Sequence, residues 1–126
     1  MKALKAQRIK IKIGELWLSP MLHVLLTREN EVIVARCLDF TVSSHAANER
    51  EALKSLSEAI KEYILTSIEV DDTDNLFDPA HNKYWRMFNE LEAKKLRTDL
   101  KRSLTKSIIM EAPERIKKTT VDIAYA

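Results

Sequence analysis

The side chains best suited to chemistry in this chain are Cys37, His23, His45, His81 and the acids Asp71, Asp72, Asp74 and Asp78. Three histidines and a cysteine could hold zinc. No two of them stand at the short paired spacing that zinc sites use, so each reads as a surface or structural residue. Ser43-Ser44-His45 sets hydroxyls beside an imidazole, but neighbours along a strand point to opposite faces, and a catalytic set is assembled by the fold. The four aspartates lack the central glycine and closing glutamate of a calcium loop and read as a solvated connector. Gly14 is the one glycine, which excludes a glycine-rich phosphate loop. Cys37 has no disulfide partner in the chain and sits in an apolar strand, so it reads as packing. These residues predict a protein that is not an enzyme and carries neither metal nor cofactor.

The elements that position them are clearest over residues 21 to 66. Leu22, Val24 and Leu26 alternate with His23, Leu25 and Thr27, as in a strand of a half-covered antiparallel sheet. Arg28 to Glu31 is a polar break, and the β-branched run from Val32 to Leu38 completes a hairpin. A third strand is predicted over about Thr41 to His45. Asn48, with Glu51 three positions on, is a capping signal for a helix whose core face is Ala52, Leu53, Leu56, Ala59, Ile60, Tyr63 and Ile64. Outside this stretch, Arg8 to Leu18 reads as an N-terminal strand. A second helix runs from about Pro79 to at least Leu104, and Thr119 to Tyr125 alternates as a C-terminal strand. The fold class is therefore α+β: an antiparallel meander followed by an amphipathic helix, with a second long helix and extra terminal strands. Its 126 residues suit a single domain, with a core at about 21–68 and an extension at about 78–126.

The segment ARCLDFTVSSHAANEREALKSLSEAIKEY resembles the HicB-like antitoxins and their stand-alone relatives, matching at Ala35, Cys37, Asp39, Asn48, Glu51-Ala52-Leu53 and Glu58-Ala59-Ile60. It departs where Leu38 replaces a frequent proline and where Ala46-Ala47 replaces a glycine turn. The resemblance implies a partial ribonuclease-H-like unit that inhibits a small basic RNA-cleaving toxin by covering its active surface. Ribonuclease-H chemistry itself would need several carboxylates converging on metal ions. The strand interiors hold none, and Asp39 stands alone at a strand end. No helical pair follows the final strand to build the DNA-binding module that many such antitoxins carry.

Charge is zoned. Residues 1 to 15 hold five bases and one acid, residues 16 to 92 seven and fourteen, and residues 93 to 126 nine and four. In the acidic middle, Glu49, Glu51, Glu58 and Glu62 are the candidate partner-binding residues, suited electrostatically to a basic toxin protein. Tyr84, Trp85, Phe88 and Leu91 are the candidate oligomer contact, an aromatic cluster read as packing or as a contact within a homo-oligomer. The basic ends offer an alternative surface for nucleic acid, although stacking aromatics are missing there. The absence of a secretory pattern and of an apolar run long enough to span a bilayer places the chain in the cytoplasm by expectation. The leading expectation is thus a non-enzymatic interaction protein of the HicB-like kind. The alternatives are a stand-alone homo-oligomer of the same fold and a nucleic-acid-binding protein.

Overall fold

The structure, a computed structural model, describes residues 1–108 and 110–125. The elements in order are β1 (Lys2–Ile9), β2 (Lys12–Ile13), β3 (Trp17–Leu18), β4 (Leu22–Glu29), β5 (Val32–Cys37), β6 (Val42–Ala46), α1 (Glu49–Glu69), α2 (Asn82–Ser107) and α3 (Pro113–Lys117). A single 3-10 turn, Thr73–Asn75, lies between the two long helices. The chain divides into two compact units, Met1–Glu92 and Ala93–Ala126.

The first unit is built on a four-stranded antiparallel sheet of order β1-β4-β5-β6. The β4–β5 hairpin turns through Asn30-Glu31, with Asn30 in the left-handed region at φ 57°, a conformation that asparagine tolerates. Alternation sends Val24 and Leu26 of β4, with Ile33, Ala35 and Cys37 of β5, to one face. There they bury against Ala52, Leu56 and Ile60 of α1. Asn48 starts that helix, accepting the Glu51 N–H at 2.9 Å, a cap that stabilises by about 1 kcal/mol.

The opposite face is covered too, which corrects the expectation of a half-covered sheet. Leu25 and Leu38 pack there with Ala80 and with Phe88 of α2, and all four are buried. Burying a phenylalanine this completely stabilises by about 1.5–3 kcal/mol, so the first turns of α2 are held by the sheet rather than by helix propensity.

Three further expectations need correction. The stretch Arg8 to Leu18 is not one strand. The edge strand β1 ends at Ile9, and the small β2–β3 hairpin follows, turning at Gly14 with φ 50°. The second long helix begins at Asn82 rather than at Pro79. The Asp78 and Ala80 N–H groups donate to Asp39 O and Leu38 O, each at 2.9 Å, so this segment is tied to the end of the sheet instead of coiling. His81 then caps the helix, its Nδ1 accepting from the Lys83 N–H at 3.0 Å.

The third concerns Thr119 to Tyr125, which is not a strand. Val121, Ile123 and Tyr125 alternate as a strand would, but the segment pairs with no sheet edge, and all three side chains are exposed. It is preceded by α3, which the sequence reading lacks and which begins on Pro113, where a missing N–H costs nothing.

Candidate protein-docking groove

The β2–β3 hairpin is short, and a buried serine fixes it. Ser19 Oγ accepts the Ile11 N–H at 2.7 Å and donates to Pro20 O at 2.8 Å, while the Ser19 N–H donates to Ile11 O at 2.8 Å. A Cβ at Gly14 would meet nothing within 4 Å, so the glycine serves the backbone turn and not a close approach. The hairpin thereby holds Ile13, Leu16 and Trp17 opposite the C-terminal half of α1.

Between them lies an apolar groove of about 560 Å³. Ile64, Leu65 and Ile68 of α1 form the second wall, and Leu76 lies beyond the 3-10 turn. Tyr63 secures this end: its ring stacks on Phe40 with centroids 5.6 Å apart, and its hydroxyl donates to Leu76 O at 2.7 Å. Burial first, and then the negative charges of Asp78 and Asp72, push the Tyr63 phenol above its ordinary pKa, so it remains a donor. Only Lys61 and Thr73 bring polar side chains to the lining. Leu16 is 89% exposed and Ile68 59%, an unusual cost for a surface unless something covers it.

The α1 side of the groove is acidic, while the hairpin side carries Lys10 and Lys12 with Glu15. Residues 58 to 78 contain seven acids and a single base, Lys61. On α1, Glu51, Glu58, Glu62 and Glu69 recur at helical spacing and form one exposed stripe bordering Leu65. Three of the four glutamates singled out from the sequence thus share this stripe. Glu49 lies half-buried toward the sheet side of the helix. Among the described residues none of the four makes an ion pair, which leaves the charge of the three exposed glutamates to act outward.

Tyr84, Trp85, Phe88 and Leu91 come together on the sheet of their own chain. Phe88 is buried, and the other three are partly buried around it. Trp85 and Phe88 also enclose His23, with ring centroids 5.1 and 5.4 Å away. Beneath them His23 and Asp39 pair: the His23 N–H donates to Asp39 Oδ1 at 2.8 Å, and His23 Nδ1 lies 3.1 Å from Asp39 Oδ2. Sixteen residues of separation hide this juxtaposition in the sequence.

Elsewhere on the sheet, Arg36 donates to Glu29 Oε2 and Thr27 Oγ1, both at 2.8 Å, and lies 4.7 Å from the centroid of the Tyr84 ring. These polar groups satisfy one another. Among the described residues no hydroxyl or thiol hydrogen-bonds the His23 ring. Cys37 Sγ instead approaches Asp39 Oδ1 at 3.9 Å, and burial pushes its thiol up to about 11, which keeps it protonated.

His45 is exposed on the edge strand β6. The aspartates of the 71–78 connector do not converge, and among the described residues no group of three or more His, Cys, Asp or Glu could hold a metal ion. No helix among the described residues is long and apolar enough to cross a membrane.

Sequence reasoning misses the groove because its walls lie about 50 residues apart in the chain. The available signal is local: the lone Gly14 after the alternating Ile9, Ile11 and Ile13, followed by the apolar run Leu16-Trp17-Leu18. Compared with protein-family models, curated proteins and solved structures, the chain matches none.

Proposed function

We propose that this chain is a non-enzymatic protein-interaction module that docks its partner in the groove beside α1. In the HicB-like reading it covers a small basic RNA-cleaving protein. The observation that carries the proposal is the union, on one helix, of an apolar groove with an unpaired stripe of glutamates. An apolar centre within a polar rim is the anatomy of a protein interface. The acid excess selects a partner whose apolar ridge is flanked by lysine or arginine, and it speeds the encounter with such a partner. Leu18, Val70 and Phe77, also exposed, extend the apolar character beyond the lining, which favours a macromolecule over a small ligand.

The test is affinity purification of the tagged full chain from its native cells after nuclease treatment, in parallel with a Leu65→Asp/Ile68→Asp variant. Stoichiometric recovery of one small basic protein by the wild type, lost in the variant, supports the proposal. Recovery that is equal for both, or that yields neither a basic protein nor a second copy of the chain, refutes it.

A further inference from the structure

The second unit presents a surface with the chemistry that the groove selects. Leu96, Leu100 and Leu104 recur every fourth residue along α2, and Ile108 follows at the same interval, with exposures of 60, 62, 41 and 38%. Every residue from 93 to 107 is exposed, so this apolar ridge has no cover of its own. Over the same span the helix carries six bases and one acid, Asp99. An exposed four-residue apolar repeat on a strongly basic helix is the complement of an apolar groove with an acid-rich rim.

We propose that the groove is occupied by the Leu96–Leu100–Leu104–Ile108 ridge of a second copy of this chain, each copy giving its helix to the other's groove. The inference rests on the docking-site reading above and names the occupant of that same site. Reciprocal exchange gives two identical contacts related by a two-fold axis and closes the assembly as a dimer. Two other pairings within reach of this chain fit less well. Ridge against ridge would bring six bases of one copy against six of the other. The exposed segment 119–125, although apolar on alternate residues, holds one acid and no base and does not answer the acidic rim.

Light scattering on the purified full chain tests the exchange. The wild type is expected at twice the 14.6 kDa chain mass, shifting toward 14.6 kDa as salt rises. Leu65→Asp/Ile68→Asp in the groove and Leu100→Asp/Leu104→Asp on the ridge are each expected at the single-chain mass. All four positions are exposed, and circular dichroism verifies that the variants keep their helices. Mixing the two variants restores a dimer, because one intact ridge then meets one intact groove.

A wild type that stays at single-chain mass at its highest soluble concentration overturns the proposal. So does a ridge-dependent dimer that the groove substitutions leave intact, since that is ridge-to-ridge pairing. A monomeric wild type that still captures a basic protein through Leu65 and Ile68 removes the second copy and leaves the docking-site reading standing. Groove substitutions that alter neither mass nor capture remove both.

Discussion

Asp39 grips His23 at two points, through the backbone N–H at 2.8 Å and the ring Nδ1 at 3.1 Å, and so ties the end of β5 to the start of β4 beneath Trp85 and Phe88. The pair braces the sheet at the place where α2 packs. Asp39→Ala leaves a part-buried N–H without its acceptor and should destabilise the first unit by about 1–3 kcal/mol in urea denaturation. Partner capture by the protein that remains folded should be unchanged. Loss of capture without loss of stability would give the pair a functional role that its geometry does not suggest.

The two faces of the helix–sheet packing separate cleanly by mutation. Leu56 is fully buried, and Leu56→Asp sets a charge in the core with no partner, a loss of more than about 4 kcal/mol that should abolish the cooperative unfolding transition. His45 is exposed at the sheet edge, and His45→Ala should change the transition midpoint little. A soluble, cooperatively folded Leu56→Asp protein would contradict the packing of α1.

Cys37 gives stability an alkaline limb. Burial raises its pKa from 9.0 to about 11 in the folded chain, so the folded state keeps this proton to higher pH than the unfolded state does. Its contribution is fully present below about pH 9 and is lost as pH climbs toward about 11, by up to ~2–3 kcal/mol across that window. Denaturation midpoints of wild type and Cys37→Ala, compared between neutral pH and pH 10.5, should show a steeper fall for the wild type. Parallel curves would contradict a buried, protonated thiol.

How much of this was legible in the sequence follows from how local each determinant is. Asn48, Glu51 and the spacing of Ala52, Leu56 and Ile60 lie within a few turns of one another and predict the start and the buried face of α1. The β4–β5 hairpin is equally local. The alternation of Val121, Ile123 and Tyr125 misleads because a strand also needs a neighbouring backbone, and no pattern within seven residues supplies one. Pro79 misleads because Leu38 O and Asp39 O claim the adjoining N–H groups. Tyr84, Trp85, Phe88 and Leu91 announce burial plainly but not against what, and the answer is Leu25 and Leu38 on a sheet face expected to be open. The acidic stripe is readable from helical spacing. The groove beside it requires the hairpin and the helix to meet.

If the rim steers a basic partner, reversing its charge should slow association more than it alters folding. Glu58→Lys/Glu62→Lys changes two exposed residues and should leave the urea midpoint nearly unchanged. It should lower the association rate about ten-fold or more at low salt, with the difference shrinking as salt rises. Stopped-flow mixing with the purified partner, or subunit exchange between labelled copies, measures this. A rate equal to wild type at low salt would leave the stripe as an ordinary solvated face.

Whether protein covers the groove can be read from Trp17, one of two tryptophans and part of the lining. In a Trp85→Phe background, acrylamide quenching of the remaining Trp17 emission measures how far the groove is open to solvent. The account predicts quenching that weakens as protein concentration rises or as the basic partner is added, and that stays strong in Leu65→Asp/Ile68→Asp. Quenching that is unchanged by concentration and by partner would contradict the claim that this groove is a docking site.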